Sequence, residues 1–307
     1  MGGRKSSHWR KSMPDSAKPV LIDKPGIYDL DMDTYHSQCC DGPSISSGGL
    51  RKIENESPAH FWCQATGLNP EAIEQPRKAA FEFGKAVHAL LFDDQEEISR
   101  LAISPFESFR TNDAKAWREE QWAEGRTIIT EDDFAAIKSM HDALAAESGV
   151  PELLTAGEPE KSMIWKDAET GIWLKSRPDR IPTDGVLADL KTCASADPHI
   201  LNGDIIKRGY HMQLALAADA LKILTGQDVT DAWLVFVEKT APFAVTTVRL
   251  GDELMDMGKR QCRRALRKFA DCLKENDWPA YVEGPITLHG PKWFTEKCNK
   301  ELEANLL

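Results

Sequence analysis

Apolar residues along this chain alternate between a helical and a strand-like spacing. From Arg77 to Phe92 (RKAAFEFGKAVHALLF), Ala79, Ala80, Phe83, Val87, Leu90 and Leu91 recur every three to four positions, predicting a helix with one broad buried face. Tyr210 to Leu224 (YHMQLALAADALKIL) reads as a second strongly apolar helix, ended by Gly226. Asp252 to Lys274 is a long, charged amphipathic one. Further helices are expected near Asp113–Glu124 and from Thr130 to about Ala146, where Thr130 and Asp133 resemble a capping box and Gly149-Val150-Pro151 ends the run. Asp197-Pro198 opens another, Ser46 or Ser47 caps a short one starting near Gly48, and Pro58 begins one whose Phe61 and Trp62 read as packing onto the domain.

The strand-like runs cluster in the second half. Glu160–Lys166 and Gly171–Arg177 are joined by a hairpin at Asp167–Gly171, and Trp233–Val237 and Phe243–Leu250 follow later. Between them lies GIWLKSRPDRIPTDGVLADLKT, Gly171 to Thr192, around which the rest is organised. Pro182, Asp184 and Gly185 supply turn chemistry for a hairpin-like connection into a second run beginning at Val186. In a strand, Asp189 and Lys191 project to one face and Leu190 to the other. The tail from Trp278, rich in Pro, Gly and Trp, is expected to wrap the surface. The sum is an α/β or α+β domain: a central mixed sheet flanked by helices, with a mostly helical N-terminal third.

Composition narrows this. A chain of 307 residues with 28% charged and 41% hydrophobic residues builds a real core. Residues 1–25, polar and rich in Lys, Ser and Pro, read as a flexible basic arm, and 26–307 as a single domain. No apolar run approaches a membrane span, and the basic start MGGRKSSHWRKS lacks the apolar region of a signal peptide, so a cytoplasmic protein without membrane attachment is expected. The seven cysteines contain no C-x-x-C pair, which excludes the usual zinc and iron–sulfur frameworks and suggests reduced thiols. A net charge of −11 argues against a generic basic DNA coat, but not against a site that neutralises its own acids with a divalent metal.

Chemistry concentrates around Asp179, Asp189 and Lys191. A second carboxylate brought beside the first repels it unless a cation lies between them. Hard oxygen ligands favour Mg²⁺ or Mn²⁺, and such an ion suits hydrolysis of a phosphodiester, with Lys191 orienting or helping to deprotonate the attacking water. The carbonyl of Leu190 is a candidate further ligand, and Glu160 can complete the site from the strand before. Gly84 and His88 share a helix face; a lone histidine there is usually a core residue, but a glycine that admits another backbone keeps His88 in consideration.

Pro178-Asp179 followed by Asp189-Leu190-Lys191 is the PD-(D/E)xK pattern of a large nuclease superfamily. With Gly84-x-x-x-His88 upstream, Tyr210-His211-Met212-Gln213 downstream, and the segments SPAHFW, EKSMIW, SRPDR and ADCLKENDWPA, the chain resembles the RecE-type exonuclease VIII family of phages and prophages over about residues 26 to 295. The resemblance implies a magnesium-dependent exonuclease that degrades one strand of linear duplex DNA from the 5′ end, leaving a 3′ overhang for a single-strand annealing recombinase, in a bacterial host cell. It implies metal-site roles for His88, Asp179 and Asp189, catalytic roles for Lys191 and Glu160, a place for Gln213 beside the substrate backbone, and a homo-oligomeric ring. Four residues after Gln213 stands Ala217 where the family pattern has tyrosine. Tyr210, Arg177 and Arg180 are candidate DNA contacts, as are Arg51, Lys52, Lys207 and Arg208, while Trp293 reads as packing. A structure-specific or single-strand nuclease of the same fold, or a non-catalytic DNA-binding protein, are the competing readings. Intact His88, Asp179, Asp189 and Lys191 speak against the last.

Overall fold

The structure is a computed structural model that describes residues 21–73, 79–92 and 94–305. Among these, the main strands form two mixed sheets. Ser162–Lys166 lies between Gly26–Tyr28 and Trp173–Ser176, antiparallel to both, and Ser44–Ser46 joins the last in parallel. In the other sheet Val186–Cys193 lies parallel to Asp231–Glu238, which pairs antiparallel with Val245–Arg249. A mixed sheet system flanked by helices is as expected, but hydrogen bonding divides it in two. Consequently the connection from Arg177 to Gly185 is not a hairpin; it carries the chain from one sheet to the other. Pro178 and Pro182 have no N–H to donate to a ladder, and Arg180–Ile181 pairs instead with Glu158–Pro159.

Strand periodicity explains the two cores. Leu187 on Val186–Cys193, with Leu234 and Phe236 next door, faces a large cluster containing Trp165, Leu214 and Phe269, which the Tyr210–Thr225 and Asp252–Glu275 helices close. Leu190, Val235 and Val237 face the other way, onto Phe83 and Val87 of the Ala79–Leu91 helix and Ile137 and Met140 of the Glu131–Ala146 helix. One strand therefore belongs to both cores, and its polar residues must emerge where the cores part.

Several boundaries differ from expectation. Ile22 is buried and bridges to Cys40, so packing begins within the expected arm, whose first twenty residues lie outside the described ones. Arg77 and Lys78, at the predicted start of the apolar helix, also lie outside them. The Glu131–Ala146 helix ends at a Glu147 cap, before Gly149, and Gly149, in a left-handed conformation, instead opens a further turn and a half of helix, Val150–Thr155. Trp278 stacks on Trp62 with ring centroids 4.2 Å apart, and after it Lys292–Asn305 is helical. The Thr130–Asp133 capping box is present in both directions, and all seven cysteines are free thiols. Among the described residues no helix is long and apolar enough to cross a membrane.

Candidate active site and metal centre

Asp189 and Lys191 emerge on the face of their strand that also carries Leu187, as period two requires. Asp189 is 1% exposed; its Oδ1 accepts from Gln213 Nε2 at 2.8 Å, while its Oδ2, which has no hydrogen-bond partner among the described residues, is in ion-pair contact with Lys191 Nζ. The ammonium also lies 5.0 Å from the centroid of the Tyr210 ring, which leans on Phe236. Burial works against the charged lysine, but the charges of Asp189 and Asp179 outweigh it and hold its pKa above the ordinary value.

Asp179 reaches the same place from the crossing between the sheets. Its Oδ2 accepts the backbone N–H of Leu190 at 2.7 Å, so the side chain takes the place of a strand partner on the outer edge of Val186–Cys193. Burial first, and the nearby Asp189 charge second, push its pKa up to about 8. Glu160 precedes the Ser162–Lys166 strand, in a left-handed conformation (φ 51°), and donates its N–H to the Asp179 carbonyl at 3.1 Å. Burial and then the Asp179 charge raise the Glu160 pKa, while Arg177, donating through Nε at 2.9 Å, opposes them.

From the opposite side the Ala79–Leu91 helix delivers His88, whose Nδ1 stands 3.6 Å from Asp179 Oδ1, too far for a hydrogen bond. Burial, and then the Lys191 charge, keep its imidazole in the neutral form a metal ligand needs. One ligand atom each from His88, Glu160 and Asp179 lies within 4.8 Å of the other two. Two oxygen acids, one buried and one half-buried, and an imidazole around one gap, with both acids raised first by burial and then by a neighbouring carboxylate, fit a small divalent cation. Asp189, predicted as a ligand, stands beside this trio, bonded to Gln213 and paired with Lys191, and Glu160 is the second acid within the trio.

Other predicted residues are placed differently. Arg177 is turned inward, to Glu160 and to the carbonyl of Leu30 at 2.7 Å; Arg180 donates to the Gly157 carbonyl at 3.0 Å. Neither is thus spread on an open DNA surface. Gln213 contacts Asp189, and the Tyr210 ring contacts Lys191. Arg51 donates to the Arg208 carbonyl at 3.2 Å and Lys52 pairs with Glu56 at 3.4 Å, whereas Lys207 and Arg208 are exposed. Trp293 is 68% exposed instead of packed. A methyl group built on Gly84 would meet nothing within 4 Å, so this glycine does not admit a neighbouring backbone. Ala217 is buried in the larger core. Arg177 as the counter-charge of Glu160 escaped sequence reasoning because its partner is set by a chain crossing that has no sequence period.

The fold has counterparts among solved structures. A protein from Eubacterium rectale presented as a candidate exonuclease superposes with a TM-score of 0.55 at 15% identity, over 85% of this chain and 97% of its own. A phage-related exonuclease from Haemophilus somnus 129PT matches over 76% of this chain and 96% of its own, at 15% identity and a TM-score of 0.31. No curated protein matches. Residues 46–286 match the family described as PDDEXK-like domain of unknown function (DUF3799), a span that contains His88, Glu160, Asp179, Asp189 and Lys191. In keeping with the RecE-type resemblance, the chain belongs to this PDDEXK-like family, and its fold is that of the metal-dependent PD-(D/E)xK nucleases.

Proposed function

We propose that this protein is a divalent-metal-dependent exonuclease that degrades one strand of linear duplex DNA from the 5′ end, leaving 3′ overhangs for a single-strand annealing recombinase. The observation that carries the nuclease reading is the convergence of His88, Glu160 and Asp179 within 4.8 Å of one another, beside the Asp189–Lys191 pair. His88, Glu160 and Asp179 hold the ion, and the carbonyl of Leu190 is a further candidate ligand. A bound Mg²⁺ or Mn²⁺ ion neutralises negative charge at a phosphodiester and makes water a stronger nucleophile. Lys191, kept protonated by two carboxylates, offers its ammonium to the phosphate charge that builds up during attack. In that state it orients and stabilises rather than removing a proton. Asp189 holds Lys191, and Gln213 holds Asp189, so three side chains fix the position of one charge.

Polarity, the duplex-end requirement and a homo-oligomeric ring rest on the resemblance alone. Linear duplex labelled separately at its 5′ and 3′ ends, incubated with Mg²⁺ beside a covalently closed circle, tests the first two. Early release of the 5′ label as mononucleotide, with the circle intact, is expected. Cutting of the circle overturns the exonuclease reading, and no metal-dependent cleavage of any DNA overturns the nuclease reading.

A further inference from the structure

The Pro198–Arg208 and Tyr210–Thr225 helices meet at a single residue, Gly209. Its φ of 68° is the left-handed conformation that glycine adopts without strain, and it serves both helices at once. Its N–H goes back to the Ile205 and Ile206 carbonyls, and its carbonyl accepts the N–H groups of Met212 and Gln213, so no slack lies between one helix and the next. The last carbonyls of the first helix have no partner within it. The Ser47–Asn55 helix supplies two, from residues one turn apart: Asn55 Nδ2 donates to the Lys207 carbonyl at 3.3 Å and Arg51 Nη1 to that of Arg208 at 3.2 Å. The stem of Arg51 also lies against the corner, where a methyl on Gly209 would stand 2.9 Å from its Cδ and 3.0 Å from its Cγ.

The first and fourth residues after Gly209 are Tyr210 and Gln213, which contact Lys191 and Asp189. Three apart, they share a helix face, so a shift of the corner moves both together. Arg51 is an unusual brace for such a corner. It is half-buried, its Nε is shielded and has no hydrogen-bond partner among the described residues, and its Nη1 bond goes to a neutral carbonyl. Burial works against its charge, and Asp189 comes first among the groups that favour it. Withdrawing a cation from water to satisfy one carbonyl is unfavourable; withdrawing it toward the Asp189 charge, at the joint that carries Tyr210 and Gln213, ties the brace to the site.

We propose that Arg51, assisted by Asn55, is a positioning residue for cleavage: it fixes the corner at Gly209 and thereby the contacts of Tyr210 and Gln213 that hold the Lys191 ammonium in place. The inference rests on the nuclease reading above and gives Arg51 an inward role in place of a contact with the DNA backbone.

The test is a double-mutant cycle on cleavage of linear duplex DNA with Mg²⁺, using Arg51→Met, Lys191→Ala and the two together. Methionine keeps the methylenes that pack on Gly209 and removes the guanidinium. Arg51→Met is expected to lower kcat by roughly tenfold and to leave KM within about twofold of the parent. In the Lys191→Ala background, where there is no ammonium left to position, the same change is expected to cost less than about twofold. A raised KM at unchanged kcat overturns the inference in favour of a direct DNA contact, and an equal loss in both backgrounds overturns it by placing the effect of Arg51 elsewhere. Melting curves check that each variant is folded; should Arg51→Met not be, Asn55→Ala, the loss of an exposed amide, carries the same test with a fall of about threefold that again disappears beside Lys191→Ala. A parent protein that cleaves no DNA with Mg²⁺ overturns the nuclease reading and this inference with it, whereas a parent that cleaves while Arg51→Met cleaves equally well overturns this inference alone.

Discussion

The two aspartates of the site live a few ångströms apart in opposite circumstances. Asp189 is sealed at 1% exposure, yet its oxygens meet Lys191 and Gln213, so its charge is compensated within the chain. Asp179 is nearly as buried, but has only the Leu190 N–H and faces Glu160 and His88, neither of which carries positive charge. Burial first, and the Asp189 charge second, raise its pKa to about 8. The difference teaches which half of the site is complete in the protein and which half waits for a cation. Under the proposed function the cluster that still needs positive charge is the ligand set, and the pair that already has it serves the chemistry.

Breaking the unsatisfied half is expected to have the largest effect. Asp179→Asn removes one carboxylate of the trio, and should lower cleavage by about three orders of magnitude and abolish measurable Mn²⁺ binding by calorimetry. Next comes the satisfied half. Lys191→Ala is expected to lower the rate by roughly a hundred- to a thousandfold while Mn²⁺ affinity stays close to that of the parent. Loss of metal affinity in that variant would erase the division between the halves. Gln213→Ala loosens Asp189 without touching the trio, and is expected to reduce the rate by about tenfold with substrate affinity little changed. Kinetics at saturating DNA separate that outcome from a direct substrate contact, which would raise the apparent KM instead.

A pH titration sharpens the comparison further. Because the folded-state pKa of Asp179 lies above its ordinary value of 3.8, the metal-free folded protein binds more protons than the unfolded chain between the two values. Its stability is therefore expected to fall as pH rises from about 4 to about 8, and added Mn²⁺ should recover the loss at the upper end; melting curves across that range measure both. Asp179→Asn should flatten the fall and leave the metal-free protein more stable at high pH by about 1–3 kcal/mol. A metal-free protein whose melting temperature rises through that window would contradict the assignment of Asp179 as the uncompensated acid.

Local patterns in the sequence carried far. The Tyr210 helix with its Gly226 stop, the Thr130 capping box and the Asp189/Lys191 same-face relation all depend on neighbours within a few residues, and all are found in the structure. So does the superfamily pattern itself, which led to the fold and family. What escaped depends on chain crossings. That the strand before Asp179 and the strand after it sit in different sheets is not encoded in the spacing of Val, Leu and Ile. That Arg177 turns to Glu160 and Arg180 to the Gly157 carbonyl is likewise set by the crossing and not by their place beside an acid in sequence. Glu160 was legible as an acid on a neighbouring element, not as a residue whose left-handed backbone folds it against Asp179.

The bond from the Leu190 N–H to Asp179 Oδ2 has a consequence beyond charge. A sheet edge with a free donor invites pairing with another chain, and proteins ordinarily guard such edges with a lysine, a proline or a bulge. Here a carboxylate that belongs to the chemistry also occupies the edge. Asn at position 179 can still accept the Leu190 N–H, whereas Ala cannot, so two equally inactive variants should part company on storage: the alanine protein is expected to self-associate and the asparagine protein to remain dispersed, as light scattering would record. The residue proposed to hold the metal would then also be one that keeps the molecules apart.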